Sequence, residues 1–162
     1  MTKEEIIARL NLVKHIEGGY FSETYRSELQ IPTERNGCMR NVCTSIYYLL
    51  TRDFPINCLH KNQSDMIHYF HIGSAITYFI IHPEGRLERI KLGNNLADGE
   101  QLQVLVKGGC WKAAFLETGE YGLLGETVAP GFEYQDMQIA DHSLLEEFPH
   151  LAEEIKDYLH NK

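Results

Sequence analysis

From Tyr20 to Gln138 the chain is a succession of brief runs rich in Tyr, Ile, Val, Thr and Phe, cut by turn residues such as Pro83-Glu84-Gly85, Asp98-Gly99 and Gly108-Gly109. β-Branched and aromatic side chains suit a pleated, half-buried surface, and the glycines and prolines close each run before a helix can develop. Thr44 to Leu50, Ile67 to His71, Ile76 to Ile81, Gln101 to Val106, Trp111 to Leu116 and Gly122 to Ala129 are each of strand length. Many short strands in series imply a sandwich or a barrel. The ends read differently. Thr2 with Glu5 has the form of a capping box, and Ile6, Ile7, Leu10 and Val13 recur at helical spacing until Gly18-Gly19. Ser143 with Glu146 repeats the box, Pro149 suits a first helical turn, and Leu151, Ile155 and Leu159 share one face. At 162 residues, with no internal repeat or linker, the chain reads as a single domain over 1–162.

Charge and cysteine usage narrow the function classes. A formal charge of −8 leaves too little Lys/Arg surface for phosphate backbones, so nucleic acid is not the expected partner. Cys38, Cys43, Cys58 and Cys110 lack the paired short spacings of a zinc site and the density of a secreted scaffold, and read as free thiols. The N-terminal stretch carries acids early and has no continuous apolar core, so a signal peptide is not expected there. No apolar run is long enough for a membrane helix. A cytoplasmic protein without a membrane partner is the expectation.

Chemistry-bearing residues concentrate in the middle. His60, His68, His71 and His82 fall in a stretch that also holds Asp65 and several tyrosines. Alternation along a strand from Ile67 sends Met66, His68 and Phe70 to one face and Ile67, Tyr69 and His71 to the other, so few of these histidines can share a pocket. Glu17, Tyr20, Glu23, Tyr25 and Arg26 lie along an early strand, where a Glu/Arg combination binds a polar ligand or pairs across a sheet. One of Tyr47 and Tyr48 must face inward, and a buried phenol needs a partner. Trp111, the single tryptophan, either stacks on a ligand ring or fills the core. No Gly-rich phosphate loop and no Ser-His-Asp nucleophile motif is present.

The segment Cys58-Leu-His-Lys-Asn-Gln-Ser-Asp-Met-Ile-His-Tyr-Phe-His-Ile-Gly73 resembles the first motif of a cupin, and Gly99 through Trp111 resembles the second. Five further strings bring the chain close to one cupin family of unassigned function: Glu17-Gly-Gly-Tyr-Phe-Ser-Glu-Thr-Tyr-Arg-Ser27, Thr44-Ser-Ile-Tyr-Tyr-Leu-Leu50, Leu92-Gly-Asn-Asn-Leu96, Gly108-Gly-Cys-Trp111 and Val128-Ala-Pro-Gly-Phe132. The resemblance implies a mostly β chain folded as a double-stranded β-helix, the jelly roll or cupin barrel, with a short N-terminal helix and one or two C-terminal helices. It also implies a homodimer related in fold to dTDP-deoxysugar epimerases. Where metal-binding cupins place ligands this chain has Asn62, Met66 and Lys112, leaving His60 alone, so no metal or other cofactor is expected. Two functions follow. One is a metal-independent isomerase or epimerase of a carbohydrate or sugar-nucleotide-like compound, with His60 as base and Tyr47 or Tyr48 as acid. The other is a non-catalytic binding module for a nucleotide, sugar or small acid. In both, Glu17, Tyr20, Arg26, Met66, His68, Phe70 and Trp111 are the expected ligand contacts.

Overall fold

The opening helix ends sooner than its apolar spacing suggests. Thr2 caps α1 (Lys3–Arg9) through the expected box, its hydroxyl accepting from the Glu5 amide while the Glu5 carboxylate accepts from the Thr2 amide. Asn11 then takes a left-handed φ of 52°, which stops the helix. Val13 is consequently 58% exposed in a short strand instead of completing the buried stripe. The structure, a computed structural model, describes residues 1–35 and 38–160, so the last two positions of the expected domain lie outside it.

The described strands are β1 (Val13–Lys14), β2 (Tyr20–Arg26), β3 (Gln30–Pro32), β4 (Met39–Asn41), β5 (Thr44–Thr51), β6 (Ile56–Asn62) and β7 (Asp65–Gly73). They continue as β8 (Ile76–Ile81), β9 (Leu87–Leu92), β10 (Gln103–Val106), β11 (Trp111–Phe115), β12 (Tyr121–Ala129) and β13 (Met137–Ile139). All six runs expected from the sequence are strands, with ends moved by a few residues. Two antiparallel sheets face each other, one in the order β1-β2-β5-β12-β7-β10 and one in the order β13-β6-β11-β8-β9. This is the mostly β jelly roll of the cupin kind. Its interior holds Leu50, Met66, Ile76, Tyr78, Ile80, Val104, Val106 and Leu124, all nearly or fully buried.

Each sheet's outer face is covered in part by the chain ends. Leu144 of α2 (Ser143–Glu147) and Ile155 of α3 (Ala152–Ile155) pack with Leu151 and Leu159 onto Leu59, Phe79, Trp111 and Phe115. The three residues expected to share a helical face, Leu151, Ile155 and Leu159, are all buried there. Ile6 and Leu12 cover Leu49 and Leu123 on the opposite side. The β3–β4 pair forms a separate arm, fastened when Arg40 donates from Nε and Nη2 to the two Asp136 oxygens at 2.8 Å each. All four cysteines are free. Among the described residues no helix is long and apolar enough to cross a membrane.

β6 is not among the expected strands, and its polarity explains why. Asn57, His60, Lys61 and Asn62 erase the apolar alternation. A register shift opposite Lys112 and Ala114, which pair with His60 and Asn57, adds one residue to β6. That bulge turns Asn57 and His60 to the same interior face, where strict alternation would separate them.

Candidate functional site

A cavity of about 200 Å³ lies between the sheets. Glu17, Tyr48, His60, Asn62 and Met66 form its buried end, with Phe21, Ile46, Glu126 and Val128 along the walls. Glu23, Arg26, Phe132, Glu133 and Tyr134 make the more exposed rim. Arg26 closes that rim as a clasp. Its guanidinium donates to Glu23 at 2.9 and 3.0 Å, to Glu133 at 2.8 Å and to Asn41 at 3.0 Å, tying β2 to the segment after β12.

The turn before β2 carries Glu17 inside. The Glu17 carbonyl accepts from the Cys58 amide at 2.8 Å, and Gly18 has a φ of +104° with Ile56 O only 2.0 Å from where a Cβ would stand. Only glycine fits so close an approach. The Glu17 carboxylate, 6% exposed, accepts from Asn57 Nδ2 at 2.9 Å and lies 3.5 Å from His60 Nε2 and 3.6 Å from His15 Nδ1. Burial raises its pKa, only partly offset by His15, Lys112 and the Asn57 hydrogen bond.

His60 is held in one tautomer. Its Nδ1–H donates to the Cys58 carbonyl at 2.8 Å, which leaves Nε2 as an acceptor at the cavity. Burial, reinforced by the Lys112 charge, lowers its pKa to about 3. The imidazole is thus neutral and weakly basic. Any proton between His60 and Glu17 rests on the carboxyl.

Behind this end lies a buried ion pair. Lys112 Nζ, on a side chain 3% exposed, donates to Glu126 Oε2 at 3.1 Å. Burial alone would raise the Glu126 carboxyl; Lys112 and His68 outweigh it and hold the pKa well below the usual carboxylate range. His68 Nδ1 is 3.2 Å from Glu126 Oε2, yet neither ring nitrogen is aligned for a hydrogen bond with a described residue. Its ring rests against Tyr78 at 4.9 Å between centroids. Burial lowers the His68 pKa to about 4.

The structure therefore brings together Glu17, Tyr48, His60 and Met66, with Arg26 at the rim, His68 just behind, and Phe70 packed against the same interior. His68 and Phe70 do not line the cavity, and three further expected residues lie away from it altogether. Tyr20 and Tyr47 pack on the outer face of the six-stranded sheet, near α1. Trp111 faces the C-terminal segment in the outer cluster, with Lys61 Nζ 4.4 Å from its ring centre, because it alternates with Lys112 along β11. Tyr48 faces inward, but its hydroxyl donates to the Gly18 carbonyl and accepts from Asn57 Nδ2 at 2.9 Å, and burial raises its pKa well above 10.0. It reads as a strut for the Glu17 turn, not as an acid. Tyr48→Phe should cost about 1–3 kcal/mol, read by urea unfolding, because it leaves the Gly18 carbonyl without its donor.

Sequence reasoning missed Glu126, His15 and Asn57 and took Lys112 only as a departure. Glu126 had a legible signal, a lone carboxylate between Leu124 and Val128 at the alternate positions of an apolar strand. A divalent ion does not fit this centre. Lys112 already neutralises Glu126, and among the described residues no three His, Cys, Asp or Glu side chains are grouped to share an ion.

Two facing antiparallel sheets with a polar-ended cavity between them define a cupin barrel. The chain belongs to the family described as Cupin superfamily (DUF985), whose sequence profile matches residues 4–140. It is 40% identical over 146 residues to the uncharacterized protein YML079W of Saccharomyces cerevisiae, covering 82% of this chain and 72% of the yeast protein. A hypothetical protein from Leishmania major has a similar structure, with 31% identity and a TM-score of 0.92 over 99% of this chain and 100% of that one. A cupin 2 conserved barrel domain protein from Rhodopseudomonas palustris shares the fold alone, at 12% identity and a TM-score of 0.58 over 93% of this chain and 88% of that one.

Proposed function

We propose that this cupin binds a small, uncharged, hydroxyl-bearing compound of carbohydrate type inside the barrel. The observation that carries the reading is the His60 Nε2 lone pair, fixed by the Nδ1 hydrogen bond and presented to an enclosed cavity. A neutral imidazole in that state accepts a hydrogen bond from a ligand hydroxyl. Phe21, Phe132 and Tyr134 supply apolar faces for the carbon side of such a ligand. Charge argues against a sugar nucleotide: Arg26 is committed to two carboxylates, so the rim repels a diphosphate. At about 200 Å³ the cavity is also smaller than the roughly 300–1,000 Å³ of sites for drug-sized ligands.

A second reading, isomerisation by proton transfer, is favoured by one observation, the raised pKa of Glu17 at the cavity end. A carboxyl tuned upward is suited to accept and return a proton next to a carbonyl, whereas His60 is too weakly basic for that task.

One experiment separates these readings. The protein is incubated in D₂O with a panel of neutral monosaccharides, polyols and nucleotide sugars, and the retained compound is identified by mass spectrometry after gel filtration. Retention of a neutral compound without deuterium at carbon is the expected result, and deuterium at carbon would establish the second reading. His60→Ala orphans the Cys58 carbonyl and should lose about 1–3 kcal/mol, so retention is compared below its lowered melting temperature. Unchanged retention by the folded variant, or preference for a nucleotide sugar, would refute the site.

A further inference from the structure

Building on the binding reading above, on which this step rests, we infer that Asn62 sets the ligand class: with His60 it reads two adjacent oxygens of one compound, a vicinal diol or a hydroxyl beside a carbonyl. Both residues are on β6. Lys61 between them turns outward, its ammonium over the Trp111 ring, so His60 and Asn62 share the inward face, and both line the cavity. Asn62 is only 1% exposed, and its backbone carbonyl already accepts from the Gly109 amide at 2.8 Å.

The two side chains have opposite polarity. Asn62 Oδ1 accepts from the Ser64 amide at 2.9 Å, which fixes the side chain, whereas Nδ2 makes no hydrogen bond to a described residue. An amide N–H without a protein partner, at the wall of an enclosed cavity, is a donor for whatever fills it. His60 Nε2 is an acceptor, because Nδ1–H is committed to the Cys58 carbonyl. A donor and an acceptor therefore stand two residues apart on one strand face, about 6.6 Å along it, on side chains that leave the sheet roughly in parallel. One bridging hydroxyl, with two hydrogen bonds of about 2.8 Å, reaches at most about 5.6 Å. Two neighbouring oxygens complete the span head to tail, the first accepting from Asn62 and the second donating to His60. The first serves equally well as a hydroxyl or a carbonyl; the second has to carry a proton.

Four small probes test this by NMR titration: propane-1,2-diol, propane-1,3-diol, glycerol and dihydroxyacetone, with the Asn62 side-chain amide followed as the reporter. Propane-1,2-diol should bind about tenfold more tightly than its 1,3 isomer, the usual worth of one hydrogen bond. Asn62→Asp keeps an acceptor for the Ser64 amide but turns a second acceptor on the ligand. It should lose dihydroxyacetone about tenfold, since a carbonyl cannot donate, and keep glycerol, whose hydroxyls donate at both ends. If Asn62→Asp does not fold, the parent decides: a shift of the Asn62 amide signal with propane-1,2-diol and dihydroxyacetone supports the inference, and binding without that shift overturns it. Equal affinity of the parent for the two propanediols, lost in His60→Ala, would overturn it while leaving the binding reading intact. Failure of all four probes to bind overturns it as well; retention of a neutral compound from the wider panel then shows that the binding reading survives, and no retention removes both.

Discussion

Acidification from pH 7 to pH 4 is expected to remove on the order of 6 kcal/mol of folding stability through His60 and His68 alone, a large share of the roughly 5–15 kcal/mol of an ordinary domain. Both imidazoles are held neutral, with pKa values of about 3 and about 4 against an ordinary 6.5. The sign follows from proton counting. Between pH 6.5 and the folded values the unfolded chain binds a proton at each site and the native chain does not, so stability falls as the pH falls through that window. Each site contributes roughly 3 kcal/mol by pH 4. Above the unfolded value neither site contributes. Glu17 acts in the opposite direction: its raised pKa lets the native state take up a proton before the unfolded state does, so it moderates the loss. Urea midpoints measured at half-unit pH steps report the slope. His68→Phe, which keeps a ring against Tyr78, should flatten it by about one proton. An unchanged slope in that variant would show that His68 is not buried neutral.

Removing the buried cation should have an effect of similar size at neutral pH. Lys112→Met keeps the aliphatic stem but leaves the Glu126 carboxylate, 12% exposed, without its partner, and breaking a buried pair in this way costs about 3–5 kcal/mol. The parent gains from Glu126 above its unfolded pKa of 4.5 and loses that gain as the pH falls through the depressed folded value. In the variant burial dominates and the carboxyl takes up a proton more readily. The gap between parent and variant therefore narrows on acidification. Glu126→Gln in the Lys112→Met background should recover most of the loss at pH 7, as a double-mutant cycle in urea would show. A full-sized loss that persists in the double variant would mean that Lys112 acts through packing and not through charge.

Most of the architecture was legible because it depends on local chemistry. A run such as Ile76 to Ile81 has the side chains of a strand whatever it packs against, and the Thr2–Glu5 box caps α1 through atoms three residues apart. Face assignments from alternation also carried over, with Met66, His68 and Phe70 inward and one of the adjacent tyrosines, Tyr48, turned to the interior. The motif strings placed the chain in its family through the order of its turns and strands, and they placed His60 at the cavity.

What only the tertiary structure decided lies where distant strands meet. The bulge that turns Asn57 and His60 to one face arises from pairing with β11, which the period of β6 does not reveal. Trp111 and Lys112 are neighbours with opposite fates, and which of them faces the interior depends on which side of β11 the C-terminal segment covers. Glu126 is an isolated carboxylate until β12 sets it beside His68 and opposite Lys112. Sequence carried the residue types and their local spacing. The ionisation states of Glu17, His60, His68 and Glu126 come from burial and from charges brought close by long-range register, and those exist only once the two sheets have closed on each other.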